Sequence, residues 1–177
     1  IQLSELQESR IDWSTYMNDG SVRLNSKKEL RDHQIKALNA VRTGFEEDDR
    51  GKMIMACGTG KTFTSLRIAE DLAGAGKTVL YMVPSLALMS QTVREWKNDA
   101  IEDFIAFSAC SDDKVGRHKP TDDQIQVNLH DLAFPATTDA RKLSEQIKNA
   151  DKEKMTVVFS TYHSIDVISK SQHDHGL

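Results

Sequence analysis

No run of about eighteen consecutive apolar residues occurs in the chain, and the mean hydropathy is −0.50, so no segment reads as a membrane-spanning helix. No leader of the charged-then-apolar kind stands at the start, which removes a secretory signal from the reading. Cysteine is scarce. Cys57 and Cys110 are too few for a disulfide framework, so a reducing, cytoplasmic compartment is expected. An excess of basic residues is missing too: 23 Lys and Arg stand against 27 Asp and Glu, with a net charge of −4. That balance, with a pI near 5.9, excludes a bulk cationic surface for nucleic acid. Any such contact must use local backbone amides, hydroxyls and a few cations. There is no internal repeat, no low-complexity tract and no initiator methionine, and the chain reads as a piece of something larger. Its 177 residues suit one domain, burying about 70% of the extended surface.

What is present begins with Met53-Ile54-Met55-Ala56-Cys57-Gly58-Thr59-Gly60-Lys61-Thr62, an apolar strand breaking into a glycine-containing turn. Gly58 and Gly60 permit a tight turn in which successive N–H groups converge on one concavity. The helix that starts near Lys61 points its N-terminal dipole and free amides at the same place. Lys61 can then reach the β- and γ-phosphates of a nucleoside triphosphate, and the Thr62 hydroxyl can ligate Mg²⁺. Cys57 is read as a small packing residue within this loop. Phe63 opens the helical continuation, in which Leu66, Ala69, Leu72 and Ala73 fall on an apolar face. The strict pattern G-x-x-x-x-G-K-[ST] wants glycine where Met55 stands.

The remaining chain has a rhythm. Residues 1–28 form a lead-in segment, with Trp13 and Tyr16 as anchors and a turn at Asn18-Asp19-Gly20. A helix is expected from Glu29 to Val41, closed by Gly44, and Glu46-Glu47-Asp48-Asp49 reads as a solvated loop. Strands are expected at Lys52–Met55, Thr78–Val83, Asp103–Ser108 and Met155–Ser160, with a helix from Ser85 to Asn98. Thr137-Thr138-Asp139 reads as the cap of a helix reaching Asn149. The charged segment 111–135, with a short strand at Gln124–Leu129, reads as an insertion or mobile loop. Apolar strands alternating with amphipathic helices predict an α/β fold, a parallel sheet covered on both faces with the phosphate loop at its carboxyl edge.

Several of these stretches resemble one family. Ala56-Cys57-Gly58-Thr59-Gly60-Lys61-Thr62 matches the A-x-x-G-[ST]-G-K-T loop of superfamily 2 helicases and translocases, position by position. Upstream, Arg31, His33 and Gln34 match that family's R-P-[HYW]-Q pattern, with Asp32 in place of proline. The resemblance implies that Gln34 reads the adenine edge through its amide, which can donate and accept at once. Val83-Pro84-Ser85-Leu86-Ala87-Leu88-Met89-Ser90-Gln91 resembles motif Ia, which implies that Pro84, Ser85 and Gln91 lie along nucleic-acid phosphates. Thr161 and Ser164 match a T-x-x-S-[IL] element, which implies backbone contact by their hydroxyls.

The chain thus resembles the first RecA-like lobe (29–177) of a superfamily 2 DNA translocase, in the manner of the ATPase of type I or single-polypeptide (type ISP) restriction–modification enzymes. The resemblance implies ATP and Mg²⁺ as cofactors. It implies double-stranded DNA, a second RecA-like lobe and nuclease or methylase domains as partners. Phosphoryl transfer also needs an acidic pair after an apolar strand and an arginine finger. Neither is found, so the RecA-like fold is read as incomplete. The family's Asp-Glu pair is expected just after Leu177, and the isolated chain is expected to hydrolyse ATP negligibly. A small-molecule P-loop kinase, an ATP-dependent ligase domain and a non-hydrolysing nucleotide-binding regulatory module remain as alternatives.

Overall fold

The structure is a computed structural model that describes residues 10–110 and 136–173. The segment 111–135 and the strand expected within it lie outside the described residues. Four strands, β1 (Thr78–Val83), β2 (Ile105–Ala109), β3 (Ala136–Thr137) and β4 (Thr156–Thr161), form one parallel sheet in the order β1-β4-β2-β3. The helices are α1 (Trp13–Asp19), α2 (Asp32–Glu47), α3 (Lys61–Leu72), α4 (Leu86–Asp99), α5 (Ala140–Lys148) and α6 (Ile165–His173).

β4 is paired on both edges, and all six of its residues are buried. Its side chains alternate between faces. Val157 and Phe159 pack with Leu66 of α3 and with Met89, Val93 and Trp96 of α4. Val158 packs on the other side with Leu143 and Ile147 of α5 and Ile168 of α6. A strand covered on both faces needs apolar residues at successive positions, which is why this one reads as an unbroken run. Trp96 is the pivot of the first cluster. Tyr81, Phe159 and Phe104 meet it edge-on at centroid distances of 4.9, 5.5 and 6.1 Å. The parallel α/β sheet expected from the sequence is therefore present, with helices on both sides.

Four local readings are corrected. Residues 52–55 form no strand: Ile54 is 86% exposed and Met53 37%. A strand exists only where its N–H and C=O groups find a ladder, and among the described residues none pairs with this segment. α2 starts at Asp32 and does not stop at Gly44 but runs on to Glu47. Gly44 keeps a negative φ, and a glycine inside an exposed helix costs only about 1 kcal/mol, less than a broken helix. In the lead-in, Trp13, half-buried, and Tyr16, 43% exposed, pack on each other at 5.8 Å, and neither belongs to the two buried core clusters. Thr137 belongs to β3, paired with Ala109, and Asp139 alone caps α5 by accepting from the N–H groups of Arg141 and Lys142.

α1 is held by its own cap. The Asp12 carboxylate accepts from the Ser14 and Thr15 hydroxyls and amides, and these bonds lower its pKa from 3.8 to about 2. An antiparallel bridge between Ile11 and Leu24 closes the lead-in around this helix.

Because Phe159 is fully buried against Trp96, Phe159→Ala is expected to cost about 3–5 kcal/mol. Met53→Ala, on the exposed segment, is expected to change stability by less than about 0.5 kcal/mol. Urea denaturation of the two variants checks the contrast.

Candidate functional site

The turn before α3 has a shape only glycine adopts cheaply. Gly58 has φ +74° and Gly60 φ +82°, both left-handed. Gly60 is the N-cap of α3, and no side chain caps that end. The first amides of the helix therefore face the concavity in front of the loop. A Cβ at Gly58 would meet nothing within 4 Å, so the concavity is open there. Lys61 Nζ donates to the carbonyls of Met55 (3.3 Å) and Ala56 (3.0 Å), and the Thr59 hydroxyl donates to Ala56 (2.7 Å). No carboxylate among the described residues forms an ion pair with Lys61. A helix N-terminus and a cation that no carboxylate among the described residues neutralises form a site for an anion. Cys57 is an exposed free thiol at the loop tip, not a packing residue, because the turn carries it out of the fold.

Thr62 is set by its neighbours. Its carbonyl accepts from the Trp96 indole N–H at 3.1 Å and from the Ser65 hydroxyl at 2.8 Å, tying the loop to the core aromatic cluster. Phe63 is half-buried beneath the Arg67 guanidinium, 4.6 Å from its ring centroid.

Gln34 lies against this loop rather than facing solvent; it is 4% exposed. Its Oε1 accepts from the Arg31 N–H (2.9 Å) and its Nε2 donates to the Thr59 carbonyl (3.0 Å). His33 Nε2 stands 3.1 Å from the same carbonyl. A primary amide has two N–H groups and two lone pairs, so half of its capacity is committed to linking α2 to the loop. Arg31 is exposed at the N-cap of α2.

Arg31, Gln34, Gly58, Thr59, Gly60, Lys61, Thr62 and Phe63 all line one groove of about 940 Å³. Residues not singled out from the sequence line it too: Arg10, Asn25, Ser26, Lys28 and Glu29. Nothing in their sequence separates them from an ordinary polar lead-in. Gln91 also lines this groove, donating to Glu95 at 2.7 Å, so it stands apart from Pro84 and Ser85.

Pro84 and Ser85 are exposed at the carboxyl end of β1, where Ser85 Oγ caps α4 by accepting from the Leu88 N–H at 3.3 Å. Val83 pairs with Thr161, so the end of β4 lies beside them. There Thr161 Oγ1 and Ser164 Oγ bond each other at 2.9 Å, both buried. Their hydroxyls shape the 3₁₀ turn Tyr162–Ser164 from inside, and the exposed side chains of that turn are Tyr162 and His163. Among the described residues no group of three His, Cys, Asp or Glu side chains could hold a metal ion, and no helix is long and apolar enough to cross a membrane.

A family model described as type III restriction enzyme, res subunit, matches residues 27–176. The structure is similar to the ATP-dependent Type ISP restriction-modification enzyme LlaBIII bound to DNA, with a TM-score of 0.80 and 38% identity over 100% of this chain. It is also similar to a nuclease-deletion mutant of the Type ISP restriction-modification enzyme LlaGI in complex with a DNA substrate mimic, with a TM-score of 0.68 and 39% identity over 85% of this chain. The matches cover 12% and 14% of those longer chains. No curated protein matches.

At Gly60 the left-handed φ and the Gln34 amide act together. A Cβ there would stand 2.4 Å from Gln34 Nε2. Gly60→Ala is expected to lower stability by about 1–3 kcal/mol and to break the Gln34–Thr59 bond. Thermal unfolding reads the first, and the chemical shift of the Gln34 side-chain amide reads the second.

Proposed function

The chain belongs to the family of the type III restriction enzyme res subunit, and on that premise we propose that it is the ATP-binding lobe of a motor that moves along double-stranded DNA. The observation that carries this reading is the loop at Gly58–Thr62: two left-handed glycines, an uncapped helix N-terminus and a lysine that pairs with no carboxylate among the described residues. Such a loop suits the polyphosphate of a nucleotide.

In this reading the phosphates of ATP lie against the amides of Ala56 to Phe63. Lys61 leaves the Met55 and Ala56 carbonyls to bind the β- and γ-phosphates. There it stabilises the charge that builds up as the phosphoryl group transfers, and this is its catalytic role. Mg²⁺ would be held by the Thr62 hydroxyl, phosphate oxygens and water, as befits an ion that keeps several of its waters. Gln34 and Arg31, which line the same groove, would meet the base. The N–H and lone pair that the Gln34 amide does not spend on Thr59 and Arg31 would meet the two requirements of an adenine edge, a donor and an acceptor.

DNA would run along the carboxyl edge of β1 and β4, where Pro84-Ser85 and the Tyr162–Ser164 turn stand side by side. Thr161 and Ser164 act there by holding the turn that presents its backbone. Gln91, on the nucleotide groove, would serve that groove instead. Of the two similar structures, one is bound to DNA and the other to a DNA substrate mimic, which supports this partner. Both are structures of restriction–modification enzymes, which supports further domains: a second RecA-like lobe and a nuclease or methylase. The acidic pair and arginine finger that hydrolysis requires would come from that remainder, so this chain alone binds nucleotide weakly and hydrolyses it negligibly. No observation among the described residues favours a small-molecule kinase, a ligase domain or a regulatory module.

In the full-length protein, Lys61→Ala is expected to lower DNA-stimulated ATPase by about 100-fold or more and to stop translocation. Undiminished translocation by that variant would refute the role of Lys61. Gln34→Ala is expected to relax the preference for ATP over GTP. An unchanged ratio of kcat/KM for the two nucleotides would leave Gln34 as a support for the loop alone.

A further inference from the structure

Among the described residues Arg67 is the one buried cation, 7% exposed, and it lies in α3 two turns beyond the phosphate-type loop. Burying a guanidinium is costly unless its donors are used, and here they are used across three segments. Nη1 donates to Glu70 Oε2. Nη2 donates to the Asp99 carbonyl at 2.9 Å and to the Lys28 carbonyl at 3.2 Å. Its flat face covers the Phe63 ring.

The surrounding bonds all close the same junction. Glu70 Oε1 accepts from the Ile101 N–H at 2.6 Å. Lys28 Nζ pairs with Asp99 at 2.8 Å. Lys27 Nζ donates to the carbonyls of Ala100 and Ile101. Residues 25–31 have no helix or strand of their own; the Asn25 N–H bonds the Arg10 carbonyl at one end and the Arg31 carbonyl accepts from α2 at the other, and between these ends side-chain bonds of this kind fix the path among the described residues. Yet Asn25, Ser26, Lys28 and Glu29 line the groove and lead directly into Arg31 and Gln34. α3 does not need Arg67 to stay in place, since Leu66 and Ala69 already bury it against the sheet.

We propose that Arg67, with Lys27, is a positioning residue for nucleotide recognition: it clasps the 25–29 strap to α3, making the strap a wall of the nucleotide groove and fixing Phe63 beside it. The inference rests on the nucleotide reading of that groove. The wall that results is polar on its inner side, suited to the ribose and base of a purine nucleotide. The clasp acts on binding and leaves the phosphate chemistry at Lys61 and Thr62 untouched.

The test is steady-state ATPase of the full-length protein with ATP and with GTP. Arg67→Lys keeps the charge but loses the fork, and it is expected to raise KM for ATP about tenfold and to narrow the ATP-to-GTP preference, with kcat held within about twofold. A folded Arg67→Lys with unchanged KM and selectivity, or with kcat alone reduced, overturns the proposal. If the Arg67 variant does not fold, Lys27→Ala decides, because Lys27 is exposed and not part of the groove lining. A KM for ATP raised about threefold supports the clasp, and an unchanged KM overturns it. Lys61→Ala is run beside them. If it still hydrolyses ATP at full rate, the nucleotide reading has failed and the clasp falls with it; if it is inactive, the Arg67 and Lys27 results judge the clasp alone.

Discussion

The space beside Gly60 is occupied by another residue's amide. Because Gly60 has no side chain, Gln34 Nε2 can approach the loop backbone and bond the Thr59 carbonyl, and α2 is thereby joined to the start of α3. The same backbone, bent through two left-handed glycines, brings Lys61 back over Met55 and Ala56. On the inner side, the Trp96 indole holds the Thr62 carbonyl. The loop is thus fixed from three directions while its outer face stays open, and an open, rigid rim of amides is what electrostatic recognition of a polyphosphate requires.

Much of this was legible in the residues. The apolar runs at Thr78–Val83 and Met155–Ser160 lie within one or two residues of the strands formed; the second, covered on both faces, has few other ways to bury itself, whereas the first pairs on one edge only among the described residues and leaves Thr78 and Leu80 exposed. Ser85 and Asp139 cap helices as their chemistry suggests. What was not legible depends on distant partners. The apolar segment 52–55 has strand composition but no ladder among the described residues. Gly44 can end a helix or sit inside one, and only the surroundings decide. Thr161 and Ser164 carry the spacing of a phosphate-contacting element, yet whether their hydroxyls point outward or toward each other is a tertiary fact. Arg67 was least visible of all: on a helical wheel an arginine reads as solvated, and its burial follows from carbonyls 39 and 32 residues away.

The acidic balance of the chain agrees with how it presents its two edges. Under the proposed function, a net charge of −4 would leave little long-range attraction for DNA, so affinity would have to come from oriented amides at strand ends and from other domains. A motor of the proposed kind would gain from that arrangement. Backbone contacts carry no sequence information, so each step along a duplex meets the same partner as the last.

The link between Trp96 and Thr62 has a spectroscopic consequence. One of only two tryptophans in the chain is sealed in the aromatic cluster and donates its indole proton to the loop's own backbone, while the other, Trp13, lies on the lead-in. A shift of the loop alters the polarity around that buried ring. The emission of Trp96 is therefore an intrinsic optical gauge of the loop's state, one that needs no added dye.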